Sequence, residues 1–187
     1  MAGASLMATA PFISRHSWAA GSPMQKLQYA GIGVGGRGAY DINSISGHKK
    51  VHMVAAADVD SDARKKLAAK AIGVKIFSDW WEMLQATDID IVSVSTPDHM
   101  HGIMALSAMN MGKHVYVQKP LAQTVGECRA MREAAHQNKV IVQMGTQGAS
   151  SFNDRTAVDW VQRKLIGKIS EAWVFCGKSW GDKNPLP

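Results

Sequence analysis

Residues 27–38 read LQYAGIGVGGRG. The apolar run Leu27–Ile32 has the character of a buried strand and stops at a glycine-rich turn, after which a helix can start over Gly36–Ser46. This is the spacing G-x-G-x-x-G. Gly33 suits the tight turn, Gly35 lets the backbone approach a pyrophosphate, and Gly38 allows close helix–strand packing. The helix start offers N–H groups and a positive dipole end to phosphates, and Gly36 and Arg37 lie on the same turn. A second frame, Gly31, Gly33 and Gly36, fits the same pattern. The later frame is preferred because its first glycine falls just past the strand.

Asp58 lies twenty residues beyond Gly38, at the end of a second apolar run over residues 50–57. A carboxylate there can accept from the ribose hydroxyls of NAD, and it repels the 2′-phosphate of NADP. NAD is therefore preferred over NADP. The competing reading makes Asp58 a cap for the turn into the next helix.

The chain has 187 residues and a formal net charge of +6. That length buries one good core and part of a second. The lysines are scattered singly or in short pairs without interleaved aromatics, which points away from nucleic acid. Cys128 and Cys176 have no metal-ligand spacing and read as buried free thiols, so no metal is expected. Residues 1–25 contain no acidic residue. They read either as the rear of an export leader, giving a periplasmic or otherwise exported protein, or as a disordered arm of a cytoplasmic one. No stretch approaches the length of a membrane span.

Strands and helices alternate from residue 27 onward, which predicts an α/β fold: a doubly wound parallel sheet with helices on both faces. Further strands are expected at 74–77, 89–95, 114–117 and 140–144. Helices are expected at 61–72, after a Ser78 cap, at 98–111, and from the Thr124/Glu127 capping box onward, with Val125, Cys128, Met131 and Ala135 on one face. The domain spans 26–148. Residues 149–187 then supply a helix at 152–165 and a strand at 169–176, the truncated start of an α+β second domain.

Three polar clusters follow strands whose ends face the ligand crevice of such a sheet. They are Ser95-Thr96-Pro97-Asp98-His99-Met100-His101, Gln118-Lys119-Pro120-Leu121, and Gly145-Thr146-Gln147-Gly148. Pro120 stiffens the turn that carries Lys119. Taken alone, His101 reads more readily as a helix-surface or core histidine than as a ligand contact, and so does His99.

The succession G-x-G-G-R-G, T-P-D-H-x-H, G-K-H-V-Y-V-Q-K-P-L and Q-M-G-T-Q-G resembles the Gfo/Idh/MocA family, the glucose–fructose oxidoreductase and inositol dehydrogenase relatives. The resemblance runs from Leu27 to about Cys176. It implies a Rossmann-type fold and an NAD-dependent oxidoreductase acting on a sugar or polyol by hydride transfer. Lys119 would be the catalytic residue, orienting a substrate hydroxyl and helping to move its proton. A lysine does this best in a dry pocket beside another positive charge. Ser95, Thr96 and Pro97 would line the adenosine side, with His101, Gln118 and Gln147 also at the cofactor.

The family typically has glutamate where this chain has Gln118. A neutral amide hydrogen-bonds but supplies no charge, so binding is expected to survive while the tuning of Lys119 changes. The Gln form resembles the exported branch of the family. A full-length form would be a homo-oligomer whose second domain supplies an acid–base partner for Lys119. Two other functions stay open: an NAD-retaining sugar hydrolase or lyase working by transient oxidation, and a cofactor-binding module without independent catalysis.

Overall fold

The computed structural model describes residues 26–175. The leader-like arm and Cys176 lie outside them. Six strands form one parallel sheet: β1 (Leu27–Ile32), β2 (Val51–Ala57), β3 (Lys75–Phe77), β4 (Ile91–Val94), β5 (His114–Gln118) and β6 (Val142–Gly145). Their spatial order is β3-β2-β1-β4-β5-β6. The order reverses direction at β1, and this switch point is where an open parallel sheet forms its ligand crevice.

The helices are α1 (Gly36–Ser46), α2 (Ser61–Ala68), α3 (Trp80–Ala86), α4 (Asp98–Asn110), α5 (Val125–Asn138) and α6 (Phe152–Gln162). Local chemistry sets their starts. Asp60 accepts from the Asp62 N–H at 2.8 Å and begins α2. The box expected at α5 is present, with Glu127 N–H donating to Thr124 Oγ1 at 3.1 Å and Thr124 N–H to Glu127 Oε2 at 2.8 Å. At α3 the cap is Asp79, not Ser78: its carboxylate accepts from the Trp81 N–H at 2.7 Å. Asp is as good a cap as Ser, and it stands one residue nearer the first turn.

The sheet separates two apolar layers. One packs Ile32, Val92, Val94, Val115 and Val117 against Leu84, Met104, Met109 and Met131 of α3, α4 and α5. The other sets Tyr29 and Ala56 against Ile42 of α1, with Leu67 of α2 at its margin. The strands carry alternate residues into opposite layers, which is why β1 and β4 are apolar almost throughout. On α5 the buried positions are Met131 and Ala134, while Val125 in the first turn is exposed.

The chain divides into two compact units, one ending at Gly145 and the other beginning at Thr146. In the second, α6 is capped by Ser151, whose hydroxyl accepts from the Asp154 N–H at 3.1 Å. The strand expected at 169–176 does not form over its described residues: 169–175 have no regular structure. Alternation alone does not make a strand. The backbone groups need a neighbour to pair with, and this segment is not among the six strands of the described sheet.

Candidate cofactor and active site

The glycine turn is held by sterics that distinguish its glycines. Gly33 has φ +81°, and a Cβ there would stand 2.5 Å from the Ser95 carbonyl oxygen. At Gly38 a Cβ would run into the Gly33 carbonyl and press on Ser95 Cβ, so the helix lies directly on the turn. These two positions match the turn and packing glycines of the later frame. Gly31, by contrast, sits within β1 against Ile42.

Gly35 and Gly36 are exposed, and a Cβ at Gly36 would meet nothing within 4 Å. Gly35 caps α1 without any side-chain hydrogen bond. The first N–H groups of α1 therefore face open space, with no side chain between them and an incoming phosphate. Arg37 is exposed beside them, its guanidinium 5.7 Å from the Tyr40 ring centroid. A cleft of about 290 Å³ runs from this turn between α1 and α2, past Asp60, Lys66 and Lys70.

Asp58 spans two loops. Its Oδ2 accepts from the Val34 N–H at 2.7 Å and its Oδ1 from the Asp60 N–H at 2.8 Å. It thus ties the glycine turn to the entry of α2, while Asp60 does the capping. Each carboxylate oxygen has a second lone pair, so these bonds leave acceptor capacity for ribose hydroxyls.

On the other side of β1, the ends of β4 and β5 come together. Ser95 Oγ donates to Asp41 Oδ2 at 2.7 Å, and Gln118 Nε2 donates to the same oxygen at 2.8 Å. Gln118 Oε1 in turn faces the Lys119 N–H at 3.3 Å. Gly145 closes the other side of the amide: a Cβ there would approach Gln118 Nε2 to 3.0 Å and the Tyr116 hydroxyl to 2.7 Å. Asp41 and Gln118 are both buried.

Asp41 went unselected among the sequence candidates. It carries a signal nonetheless, as a charged residue between Gly38, Ile42 and Ile45 on the inward stripe of α1. An isolated acid at such a position is rarely buried without partners. Nearby, Tyr29 and Ser93 share a buried hydroxyl–hydroxyl hydrogen bond of 2.6 Å. Burial raises the Tyr29 phenol well above its ordinary value. The Ser93 bond opposes this, and the charge of Asp41 adds to the rise.

His101 is buried in α4 with both ring nitrogens engaged. Nδ1 lies 2.6 Å from the Pro120 carbonyl oxygen and Nε2 2.8 Å from that of Thr96. It pins the loops after β4 and β5 to each other, and a ligand reaching a ring nitrogen would have to displace one carbonyl. Thr96 donates weakly to Met104 Sδ at 3.6 Å, and Pro97 is exposed at the start of α4. Lys119 is joined to Pro120 by a cis peptide bond and is exposed. The dry pocket expected around it is not built by the described residues of the first unit. Gln147 belongs to the second unit, where it precedes the 3-10 turn Gly148–Ser150.

This geometry agrees with the comparisons. The family model described as "GFO_IDH_MocA: Oxidoreductase family, NAD-binding Rossmann fold" matches residues 27–146. The chain belongs to the Gfo/Idh/MocA family. Among curated proteins, it is 31% identical over 141 residues to inositol 2-dehydrogenase of Salmonella typhimurium, covering 73% of this chain and 39% of that protein. To glycosyl hydrolase family 109 protein 1 of a Shewanella species it is 30% identical over 178 residues, covering 90% and 39%. Among solved structures, scyllo-inositol dehydrogenase of Lactobacillus casei with bound NAD(H) and scyllo-inositol superposes with a TM-score of 0.70 at 26% identity, covering 78% and 44%. The chain therefore spans less than half the length of these family relatives.

Proposed function

We propose that this chain is the cofactor-binding part of an NAD-dependent oxidoreductase acting on a sugar or polyol. The observation that carries it is the grouping at one sheet edge of an uncapped glycine turn, a ribose-competent carboxylate and Lys119. The open faces of Gly35 and Gly36 fit a pyrophosphate, since a side chain at either would fill that space. From there the strand order directs the two halves of a dinucleotide apart. The adenosine half runs over β2 toward Asp58, and the nicotinamide half over β4 and β5 toward Gln118 and Lys119. Ser95, bound with Gln118 to the same Asp41 oxygen, goes with this half rather than with the adenosine side that the resemblance implies.

When bound, NAD supplies the hydride acceptor. Lys119 Nζ orients the substrate hydroxyl and takes up or relays its proton. The Gln118 amide holds the Lys119 backbone, and His101 holds the Pro120 turn behind it. A sugar or polyol substrate is supported by the inositol dehydrogenases among the relatives. Export remains part of the reading, resting on the composition of residues 1–25, and so does homo-oligomerisation of a longer form.

The test is turnover with NAD on a panel of inositols and aldoses, comparing the wild type with Lys119→Ala. The variant should lose activity by at least about a hundredfold, in line with the usual effect of removing a general acid–base. Normal turnover in the variant would sink the assignment. The glycosyl hydrolase relative favours one alternative, hydrolysis through transient oxidation. Cofactor retained through purification, with glycoside cleavage and no net NADH, would select it.

A further inference from the structure

Asp41 brings a buried carboxylate to the ends of β4 and β5, where its hydrogen-bond partners Ser95 and Gln118 are neutral and the nearby charge, on Lys119, is of opposite sign. It is 6% exposed, and its Oδ2 takes two hydrogen bonds, from Ser95 at the end of β4 and Gln118 at the end of β5. Moving a charged carboxylate out of water is costly, and two short bonds to ionised oxygen offset part of that cost. Packing does not call for an acid here. An apolar residue would suit the inward stripe of α1, with Ile42 beside it in the core.

The position of this charge has a consequence for the cofactor. Asp41 touches the strand ends on the β4–β5 side of β1, not the β2 side where Asp58 stands. It therefore lies beneath the nicotinamide half of the dinucleotide path. The oxidised nicotinamide ring carries a positive charge that the reduced ring lacks. Gln118 is neutral, so it cannot discriminate between the two by charge. Asp41, one hydrogen bond behind it, can.

We propose that Asp41 is a positioning residue that sets the redox preference of the site: its buried carboxylate, acting through the Gln118 amide, favours the oxidised over the reduced cofactor. Being acceptor-only, the carboxylate also fixes which end of the Gln118 amide faces it. Nε2 must point to Asp41, leaving Oε1 for the Lys119 N–H. The inference rests on the reading that NAD binds along this edge.

The experiment measures dissociation constants of NAD+ and NADH for the full chain, by tryptophan quenching and NADH fluorescence. Three proteins are compared: wild type, Asp41→Asn, and the double variant Asp41→Asn/Gln118→Glu, which moves the carboxylate across the same hydrogen bond. A unit charge several ångströms away in a partly buried site changes the binding of a cation by about tenfold. Asp41→Asn should weaken NAD+ by about that factor and leave NADH within about twofold. The double variant should restore the preference to within about threefold of wild type.

Parallel loss of both affinities, no change in either, or failure of the double variant to restore the preference would overturn the proposal. If Asp41→Asn does not fold, the double variant decides alone: it either keeps the wild-type preference or lacks it. A wild type that binds neither cofactor form would instead overturn the assignment of NAD to this edge. A merely structural role for Asp41 would move both constants together.

Discussion

The carboxylate of Asp58 and the amide of Val34, 24 residues apart in sequence, are joined by a 2.7 Å hydrogen bond. This bond makes the acid at the end of β2 a support of the glycine turn as well as a contact for ribose. Asp58→Ala should therefore reduce NAD affinity by more than the loss of one ribose contact. Bonds to charged groups contribute about 1.5–3 kcal/mol each, so a loss of at least about thirtyfold is expected. Calorimetric titration checks this. NADP, which gains no ribose bond from that carboxylate in the wild type but shares the glycine turn, should lose less than NAD does.

Gly36 and Gly38 should fail differently. An alanine at 38 meets the Gly33 carbonyl, so the turn or the helix must shift, at a cost of about 2–3 kcal/mol. An alanine at 36 meets nothing but must adopt φ +46°, costing about 1 kcal/mol. Urea unfolding should rank them in that order. Cofactor titration should show Gly36→Ala binding poorly despite its near-normal stability, because its methyl occupies the phosphate path.

His101→Ala should destabilise the first unit by about 3 kcal/mol, from a buried cavity and the loss of the ring that lies between the Pro120 and Thr96 carbonyls. Chemical unfolding measures the loss. Amide exchange should speed up in the loops after β4 and β5 beyond the general effect, since the ring is what joins them. Uniform acceleration across the sheet would contradict that role.

Tyr29 makes stability depend on alkaline pH. Its folded phenol titrates above the ordinary 10.0, chiefly through burial. Below pH 10 the folded and unfolded states are both protonated, and the contribution is fully present. Above it the unfolded chain ionises first, binds fewer protons, and is favoured by up to about 1.4 kcal/mol per pH unit. Unfolding measured from pH 8 to 11 should show this decline. Tyr29→Phe should flatten it, after a loss of about 1 kcal/mol at neutral pH from the stranded Ser93 hydroxyl.

Much of this architecture was legible from residue 27 onward because its signals are local. The apolar run before Gly33, the Thr124/Glu127 box and the β-branched stretch of β4 each declare an element within a few residues. Element ends were less legible: α2 closes at Ala68 rather than running on to 72, and α6 at Gln162 rather than 165. Periodicity continues past the point where hydrogen bonding stops. Strand formation at 169–175 depends on a neighbour that no local pattern can supply. Of the site, the glycine turn and Asp58 could be read from spacing. Asp41 shows in the sequence only as an acid on the inward stripe of α1; its meaning arises from Ser95 and Gln118, 54 and 77 residues away.

The parallel sheet also bears on how the protein reaches its fold. β1, at the centre, pairs with β2 on one side and β4 on the other, and the Gln28 N–H is already committed to Asp90, 62 residues on. No pair of adjacent strands in this sheet can close as a hairpin. Every pairing waits for a crossover, and loop closure must be met before the pairing rewards it. As the chain is synthesised, β1 emerges first but gains its second neighbour only once β4 has been made. Until then one edge of the future cofactor strand stands open, which makes this interval the one in which the growing chain most needs protection from pairing with another copy.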